Sequence, residues 1–492
     1  MFEIEQIKKV RVLCIGDIML DRYLYGEVSR ISPEGPVPVA RIKRSDNVAG
    51  GVANVAGNIT ALGAQATVCG VIGEDASGRD LELSLAQDKN IDTRLLTVTD
   101  RPTTEKIRYM AQGQQLLRAD HEDAKPLNVS QEQQLMQILD KAINDYDALV
   151  LSDYAKGVLT PNILSHAIHL ANCNNIPVIV DPKYSDFSRY AGATVITPNG
   201  KEIREATSID PTDDQKAQTA GQKALQAGKV GAVLVTRAEQ GMSLIRQDQP
   251  AVHIRATAHE VYDVVGAGDT VVATLAVCLG AGLSLEEAAR LANMAAGIVV
   301  QKSGTATVSM FELLEAIKQQ DQAHDPQNSI KNKVVPLSEL KLLRTQWAKQ
   351  GLKVGFTNGC FDLLHVGHVS LLTFARAQCD KLIVGLNSDA SIKRLKGPER
   401  PINPQTDRGY VLAALQSIDA VVIFEEDTPK NLIEALTPDV LVKGADYTID
   451  QIVGADHVLA HGGEVKTFEL IPGRSSTQMI EKAKQASQSN NC

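Results

Sequence analysis

The chain has 492 residues, 43 % of them hydrophobic and 22 % charged, with a formal net charge of −9. That length sets a prior of roughly three domains or two large ones, and the apolar content is ample for buried cores, which excludes global disorder. Both halves are net acidic, which excludes a nucleic-acid or anionic-membrane surface as the main business, so any phosphate ligand must be held by local pockets.

In chain order, residues 10–16 (VRVLCIG) predict a buried strand that stops at a glycine. Proline-bearing residues 23–39 and the stretch 103–119 predict hairpin material, a small lid over one end of a sheet. Apolar, β-branched runs at 66–72, 148–152, 177–181, 194–197 and 232–236 predict further strands, with helices at 131–144 and 161–172 between them. Strand, helix, strand at this spacing implies right-handed βαβ units and a doubly wound, largely parallel sheet. The polar stretch 318–332 reads as a linker, followed by a short helix at 337–349. The α/β pattern then restarts, with strands at 353–357, 381–387, 420–424 and 440–443, and helices at 369–379, 406–415 and 429–436. The expected organisation is a first α/β domain over 1–320, a linker with a short helix over 321–350, and a second, Rossmann-like α/β domain over 351–492.

Seven scattered cysteines without a C-x-x-C pair form neither a disulfide framework nor a zinc site, and a reducing cytoplasm is the expected compartment. The N-terminus carries no signal-peptide pattern. The longest apolar run, from Val271 to Leu283, is broken by Gly280 and Gly282 and is too short to span a bilayer.

Two constellations carry chemistry. In the first half, Gly266-Ala267-Gly268-Asp269 precedes an apolar helix. Small residues there let backbone N–H groups converge at a helix N-terminus, an anion hole with Asp269 beside it as a proton acceptor. A plain helix cap is the competing reading of those four residues. Asp17 and Asp21 follow the first strand, and carboxylates there suit sugar hydroxyls. Gly50, Gly51 and Asn54 open a helix with close backbone approach, and Asp181-Pro182-Lys183 closes a strand with an acid and a base. Asn199-Gly200-Lys201-Glu202 has an N-x-x-E spacing suited to Mg²⁺ held through water by Asn199 and Glu202. This set resembles the ribokinase (PfkB-type) family of small-molecule kinases. The resemblance implies a ribokinase-like fold with a β lid and Asp269 as catalytic base. It further implies 266–268 as anion hole, 199–202 as the ATP and Mg²⁺ element, and Asp17, Asp21, Gly50, Gly51, Asn54 and Lys183 at the sugar.

In the second half, Phe356-Thr357-Asn-Gly359-Cys-Phe-Asp362 leads into His365-Val-Gly-His368 at a helix start. The i, i+3 spacing puts both imidazoles on one side of the first turn, where they can stabilise charge growing on an α-phosphate as pyrophosphate leaves. A zinc pair competes, but no further ligands stand at suitable spacing. Asp389 closes the next strand, and Lys393 and Lys396 form a basic cluster suited to a triphosphate. Arg474, Ser475, Ser476 and Thr477 precede a polar helical tail and suit phosphate oxygens. This half resembles the cytidylyltransferase-like nucleotidyltransferases, which implies that both histidines and the basic cluster serve a nucleoside triphosphate.

The order and lengths of the two parts resemble those of the bacterial bifunctional enzymes that build a nucleotide-activated heptose. That resemblance implies phosphorylation of heptose 7-phosphate at C1 with ATP and Mg²⁺, then removal of the 7-phosphate by a separate phosphatase. Transfer of AMP from ATP to heptose 1-phosphate follows, giving ADP-heptose for lipopolysaccharide. It also implies a homodimer, since ribokinase-like relatives pair through their lids. The residues alone leave the sugar and the base open. A polyol kinase fused to a cytidylyltransferase, and a kinase fused to a nucleotide sensor without turnover, are the alternatives. Lys183, Arg118 and Arg108 are the candidates for gripping a distal sugar phosphate.

Overall fold

The computed structural model describes residues 4–257, 261–302, 304–324, 330, 332–444 and 448–469. The chain divides into two compact units, Met1–Leu313 and Leu314–Cys492. The first runs β1 (Arg11–Gly16), β2 (Ile18–Ile31), β3 (Pro38–Gly51), β4 (Gln65–Gly73), β5 (Ile91–Val98), β6 (Thr104–Ala111) and β7 (Gln114–His121). It continues with β8 (Ala148–Ser152), β9 (Val178–Asp181), β10 (Val195–Ile196), β11 (Ala232–Thr236), β12 (Met242–Arg246) and β13 (Val252–Ile254).

Nine of these strands form one sheet in the order β13-β12-β11-β10-β9-β8-β1-β4-β5, parallel except for β12, which pairs antiparallel with both β11 and β13. Helices cover both faces, which is why β1, β4 and β8 are nearly continuous apolar runs buried at almost every position. The core packs Leu13, Ile15, Leu149, Leu151 and Val180 against Leu164 and Ile168 of the Pro161–Cys173 helix. The chain leaves β1 toward β4 on one side and returns to β8 on the other, so a crevice opens at the carboxyl end of β1.

The stretches expected as hairpin material become a separate four-stranded sheet in the order β3-β2-β6-β7. Its first two strands run for 14 residues each, longer than the sequence pattern suggested. Only the first four residues of β2 are buried, so most of its length lies away from the core and shows no apolar alternation to read.

In the second unit, β14 (Val354–Gly359), β15 (Lys381–Asn387), β16 (Ala420–Phe424), β17 (Val440–Gly444) and β18 (Glu464–Phe468) make one parallel sheet. Its order, β16-β15-β14-β17-β18, reverses at β14 and opens a second crevice at that strand's carboxyl end. The Leu337–Lys349 helix, expected within a linker, buries Leu340, Leu343 and Trp347 and is part of this unit. The expected boundary at 320 falls inside the Met310–His324 helix.

Candidate active sites

In the first unit the Ala267–Gly280 helix starts from Gly266, whose φ of 81° lies in the left-handed region that glycine enters without strain. No side chain caps this helix. A Cβ added to Gly268 would meet nothing within 4 Å, so the first turn faces open space. Asp269 sits in that turn, 7 % exposed. Its Oδ2 accepts a hydrogen bond from Asn54 Nδ2 at 2.5 Å, and its Oδ1 accepts one from the Tyr154 hydroxyl at 2.9 Å. Burial pushes the Asp269 carboxyl up to about 6, against the pull of these two hydrogen bonds. A carboxylate with a pKa near neutrality is well matched to taking a proton from a hydroxyl.

Asn54 is placed by the Val52–Ala61 helix, which begins directly after β3. Gly51 has φ 63°, and a Cβ there would lie 2.3 Å from the Asp17 carbonyl oxygen. A Cβ on Gly50 would lie equally close, 2.3 Å, to Asp21 Oδ2. The glycine pair is therefore what lets β3 close against β1 and β2. One turn on, Asn58 Oδ1 accepts from the Thr270 hydroxyl at 2.8 Å, so two amides tie this helix to the start of the next.

Several residues expected at the substrate are committed elsewhere. Asp17 accepts from the N–H groups of Tyr154, Lys156 and Val158 at 2.9, 3.0 and 3.1 Å, which makes it the anchor of the 154–158 loop and hence of Tyr154. Asp21 is ion-paired with Arg108. Asn199, expected to hold Mg²⁺ through water, caps the Gly200–Thr207 helix: its Oδ1 accepts from the N–H groups of Lys201 and Glu202, both at 3.0 Å. Both lone pairs of the one donor atom a metal would use are thus occupied. Glu202 completes a capping box by accepting from the Asn199 N–H at 3.0 Å. Gly200 is the first residue of that helix, and Lys201 is exposed, 3.8 Å from Glu205. Lys183, expected at the sugar, instead lies 3.4 Å from Glu202 Oε1.

Three further residues belong to this site, and two of them, Tyr154 and Lys106, sequence reasoning did not place there. Tyr154 follows β8 in a run, Asp153-Tyr154-Ala155-Lys156-Gly157, whose only signal is a polar cluster at a buried strand's end. Asp181 closes β9; burial and the neighbouring Asp269 and Glu202 push its carboxyl well above the usual range. Lys106, on β6, has its ammonium 5.9 Å from the centre of the Tyr154 ring.

In the second unit His365 is the N-cap of the Val366–Ala377 helix without a side-chain capping bond. The His365 and His368 rings stack at 3.8 Å, and Phe361 meets His368 edge-on at 5.1 Å. Burial, then His365, then Lys396 push His368 down to about 4, so it is a neutral imidazole at pH 7. Phe361 itself holds a φ of 45°, a strained value for a bulky residue at this turn. A Cβ on Gly359 would press to 3.0 Å on its ring.

Here too some expectations shift. Phe356 is wholly buried core, its ring against Gly385, so its side chain is unavailable to a nucleotide. Thr357 is also buried, and its Oγ1 and the Oδ1 of Asn358 have no partner among the described residues. Asp362 serves the fold: it takes Arg400 Nε at 2.5 Å and the N–H of Ile402 at 2.8 Å, fixing the 400–403 segment. Burial acts to raise its pKa, but Arg400 and these N–H groups outweigh it and hold the carboxyl low. Asp389 accepts from Arg408 at 2.6 Å. Arg408 was missed: it is 3 % exposed and also bonds the carbonyls of Cys360 at 2.6 Å and Asn403 at 2.9 Å. Lys393 and Lys396 are exposed on the Asp389–Lys396 helix, Lys396 close enough to act on His368. Arg474, Ser475, Ser476 and Thr477 lie outside the described residues.

Fold and sites together define a carbohydrate kinase joined to a nucleotidyltransferase. Residues 9–311 match the pfkB family of carbohydrate kinases, and residues 356–482 match the cytidylyltransferase-like family. The fold of the first unit is similar to ribokinase from Arabidopsis thaliana, with TM-score 0.51 and 23 % identity over 63 % of this chain and 98 % of that one. It is likewise similar to phosphofructokinase-2 from Escherichia coli, with TM-score 0.53 and 22 % identity over 63 % and 99 %. Along its length the chain is 50 % identical to bifunctional protein HldE of Caulobacter sp. strain K31, covering 95 % of both chains. Identity to the HldE of Rhodospirillum rubrum is 48 %, covering 97 % of this chain and 96 % of that one. The chain belongs to the bifunctional HldE family of enzymes. No helix among the described residues is long and apolar enough to cross a membrane.

Proposed function

We propose that the first unit phosphorylates D-glycero-β-D-manno-heptose 7-phosphate at C1, and that the second transfers AMP from ATP to heptose 1-phosphate. The products are the 1,7-bisphosphate from the first and ADP-heptose with pyrophosphate from the second. Membership of the HldE family supports the pairing, and the observation that carries the kinase step is Asp269, buried at an uncapped helix start between Asn54 and Tyr154. Asp269 takes the proton of the anomeric hydroxyl as that oxygen attacks the γ-phosphorus, and the bond from that phosphorus to the β-bridging oxygen breaks. The backbone at 266–268 meets the charge on the transferred group. Asn54 and Tyr154 hold the carboxylate in place, and Asp17 holds Tyr154.

In the second unit a sugar-phosphate oxygen attacks the α-phosphorus, and the bond to the bridging oxygen of the leaving pyrophosphate breaks. His365, His368, Lys393 and Lys396 steady the triphosphate. The triphosphate's negative charge raises the His368 pKa, so the imidazole becomes a better donor when substrate is bound.

Among the described residues no group of three His, Cys, Asp or Glu donors stands close enough to cage a metal ion. The donor chemistry fits a nucleotide-borne Mg²⁺ met through water, and Asp181 and Glu202 would hold it there, since the Asn199 oxygen is committed to its helix cap. When bound, the ion neutralises phosphate charge. A cytoplasmic homodimer that hands its bisphosphate to a separate phosphatase completes the proposal.

The test is pyrophosphate release by the full chain with heptose 1-phosphate, comparing ATP with CTP. Release with ATP is expected. Release with CTP alone overturns the adenylyl assignment, and release with neither makes the second unit a sensor.

A further inference from the structure

The lid sheet has two unlike faces. Register pairs Asp21 with Lys106 and Lys106 with Asp120 across β2, β6 and β7, and one step on pairs Tyr23 with Arg108 and Arg108 with Arg118. Opposed residues, and residues two apart, share a face, so all six project from one side. The other side carries Arg22, which bonds Glu105 at 2.6 Å and Asp80 of the Ala76–Leu85 helix at 3.1 Å. The first side is the one toward Asp269, because Lys106 lies over the Tyr154 ring, whose hydroxyl donates to that carboxylate.

On that side most charges are matched. Arg108 is paired with Asp21, Arg118 with Asp120 at 2.8 Å, and Lys156 of the neighbouring loop with Glu122 at 2.6 Å. Lys106 alone of the four has no hydrogen bond or ion pair among the described residues, although it is half-buried. Burial depresses its pKa, and the nearby Lys156 and Arg118 add to that depression while Asp21 and Asp120 oppose it. A half-buried ammonium without an ion pair, beside three cations that each have one, is a place where an anion is missing. A phosphate monoester, with about −1.5 to −2 charges at pH 7, fits that deficit. Tyr154 gives the scale: its hydroxyl touches the catalytic carboxylate while its ring lies under Lys106, so a sugar reacting at one end reaches the lysine with the other.

We infer that Lys106, flanked by Arg108, Arg118 and Lys156, binds the phosphate that the sugar substrate already carries, and so sets the preference for a phosphorylated over a free sugar. This rests on the substrate reading above. It also removes Lys183, which lies with Glu202, from that role.

The test is the ratio of kinase kcat/KM for heptose 7-phosphate to that for free heptose, measured on the full chain. In Lys106→Met this ratio falls by about 10- to 100-fold, the worth of one charge-assisted contact, with the loss in KM. Lys106→Arg, which keeps the cation, retains most of the preference. An unchanged ratio in Lys106→Met, or an equal loss on both sugars, overturns the inference while leaving the substrate reading intact. A wild-type enzyme indifferent to the 7-phosphate overturns that reading, and the inference with it. If Lys106→Met does not fold, loss of the preference in a folded Lys106→Arg overturns the point-charge role, and its retention upholds it.

Discussion

In the first unit burial raises a carboxylate, Asp269, to about 6; in the second it lowers an imidazole, His368, to about 4. Both stand in the first turn of a helix that no side chain caps. Desolvation favours the uncharged form in each case, yet the chemical outcomes differ. As the proposed base, Asp269 must be charged to accept a proton, so its shift brings it close to neutral pH. His368 is left neutral in the free protein, and in the proposed reaction an anionic substrate charges it. Assembly differs as well. Asp269 is held by partners from far along the chain, whereas the two imidazoles stack across a single helical turn.

The comparison breaks most visibly with Asp269→Asn, which is expected to lower kinase turnover by about 10²- to 10⁴-fold and to leave pyrophosphate release unchanged. Near-normal phosphorylation in that variant removes Asp269 as the base. The mirror experiment, His368→Ala, should cost the transferase about 10²- to 10³-fold while the kinase assay stays at the wild-type rate. Arg408→Leu tests whether the second site depends on its buried scaffold. Leaving Asp389 and the carbonyls of Cys360 and Asn403 without their partner should destabilise the second unit by about 3 kcal/mol, read as an earlier denaturant transition with kinase activity intact.

The pH dependence separates the two units further. Kinase kcat/KM should be flat above about 6 and fall about tenfold per pH unit below it, because protonation removes the acceptor. His368, followed by NMR in the free enzyme, should stay neutral down to about 4 and titrate at higher pH once ATP is added. The smallest effect belongs to Tyr154→Phe. Its hydroxyl favours the ionised form of Asp269, so its loss should move the kinase midpoint toward alkaline pH with a few-fold loss of rate. A midpoint moving toward acid would contradict the geometry.

Much of this was legible before any coordinates. Strands at 148–152, 232–236, 381–387 and 420–424 emerge at the bounds expected, because parallel strands buried on both faces are short, largely apolar runs. The glycine-rich helix starts were also legible, since a positive φ and close backbone approach leave a signature in residue type. What the sequence could not show is which partner a polar residue chooses. Asp362 reads as a ligand and is an anchor for Arg400; Asn199 reads as a metal donor and is a helix cap. Tyr154 and Arg408 were invisible for the complementary reason: their roles depend on contacts 115 and 48 residues away. A lone tyrosine or arginine carries no local pattern that announces such contacts.

The hydrogen bond from Asn54 to Asp269 joins positions 215 residues apart. On the ribosome, the half of the pocket built from the early strands must therefore wait, folded or not, for the segment through Gly280 to emerge. A nascent or truncated chain that stops short of it has no phosphorylating power, however sound its sheet. The second unit's imidazole pair, by contrast, is complete as soon as one helical turn and the strands beneath it have formed. Translation thus assembles the two residue sets by different rules: the Asp269 pocket by closing a long loop of chain, the imidazole pair by winding a short one.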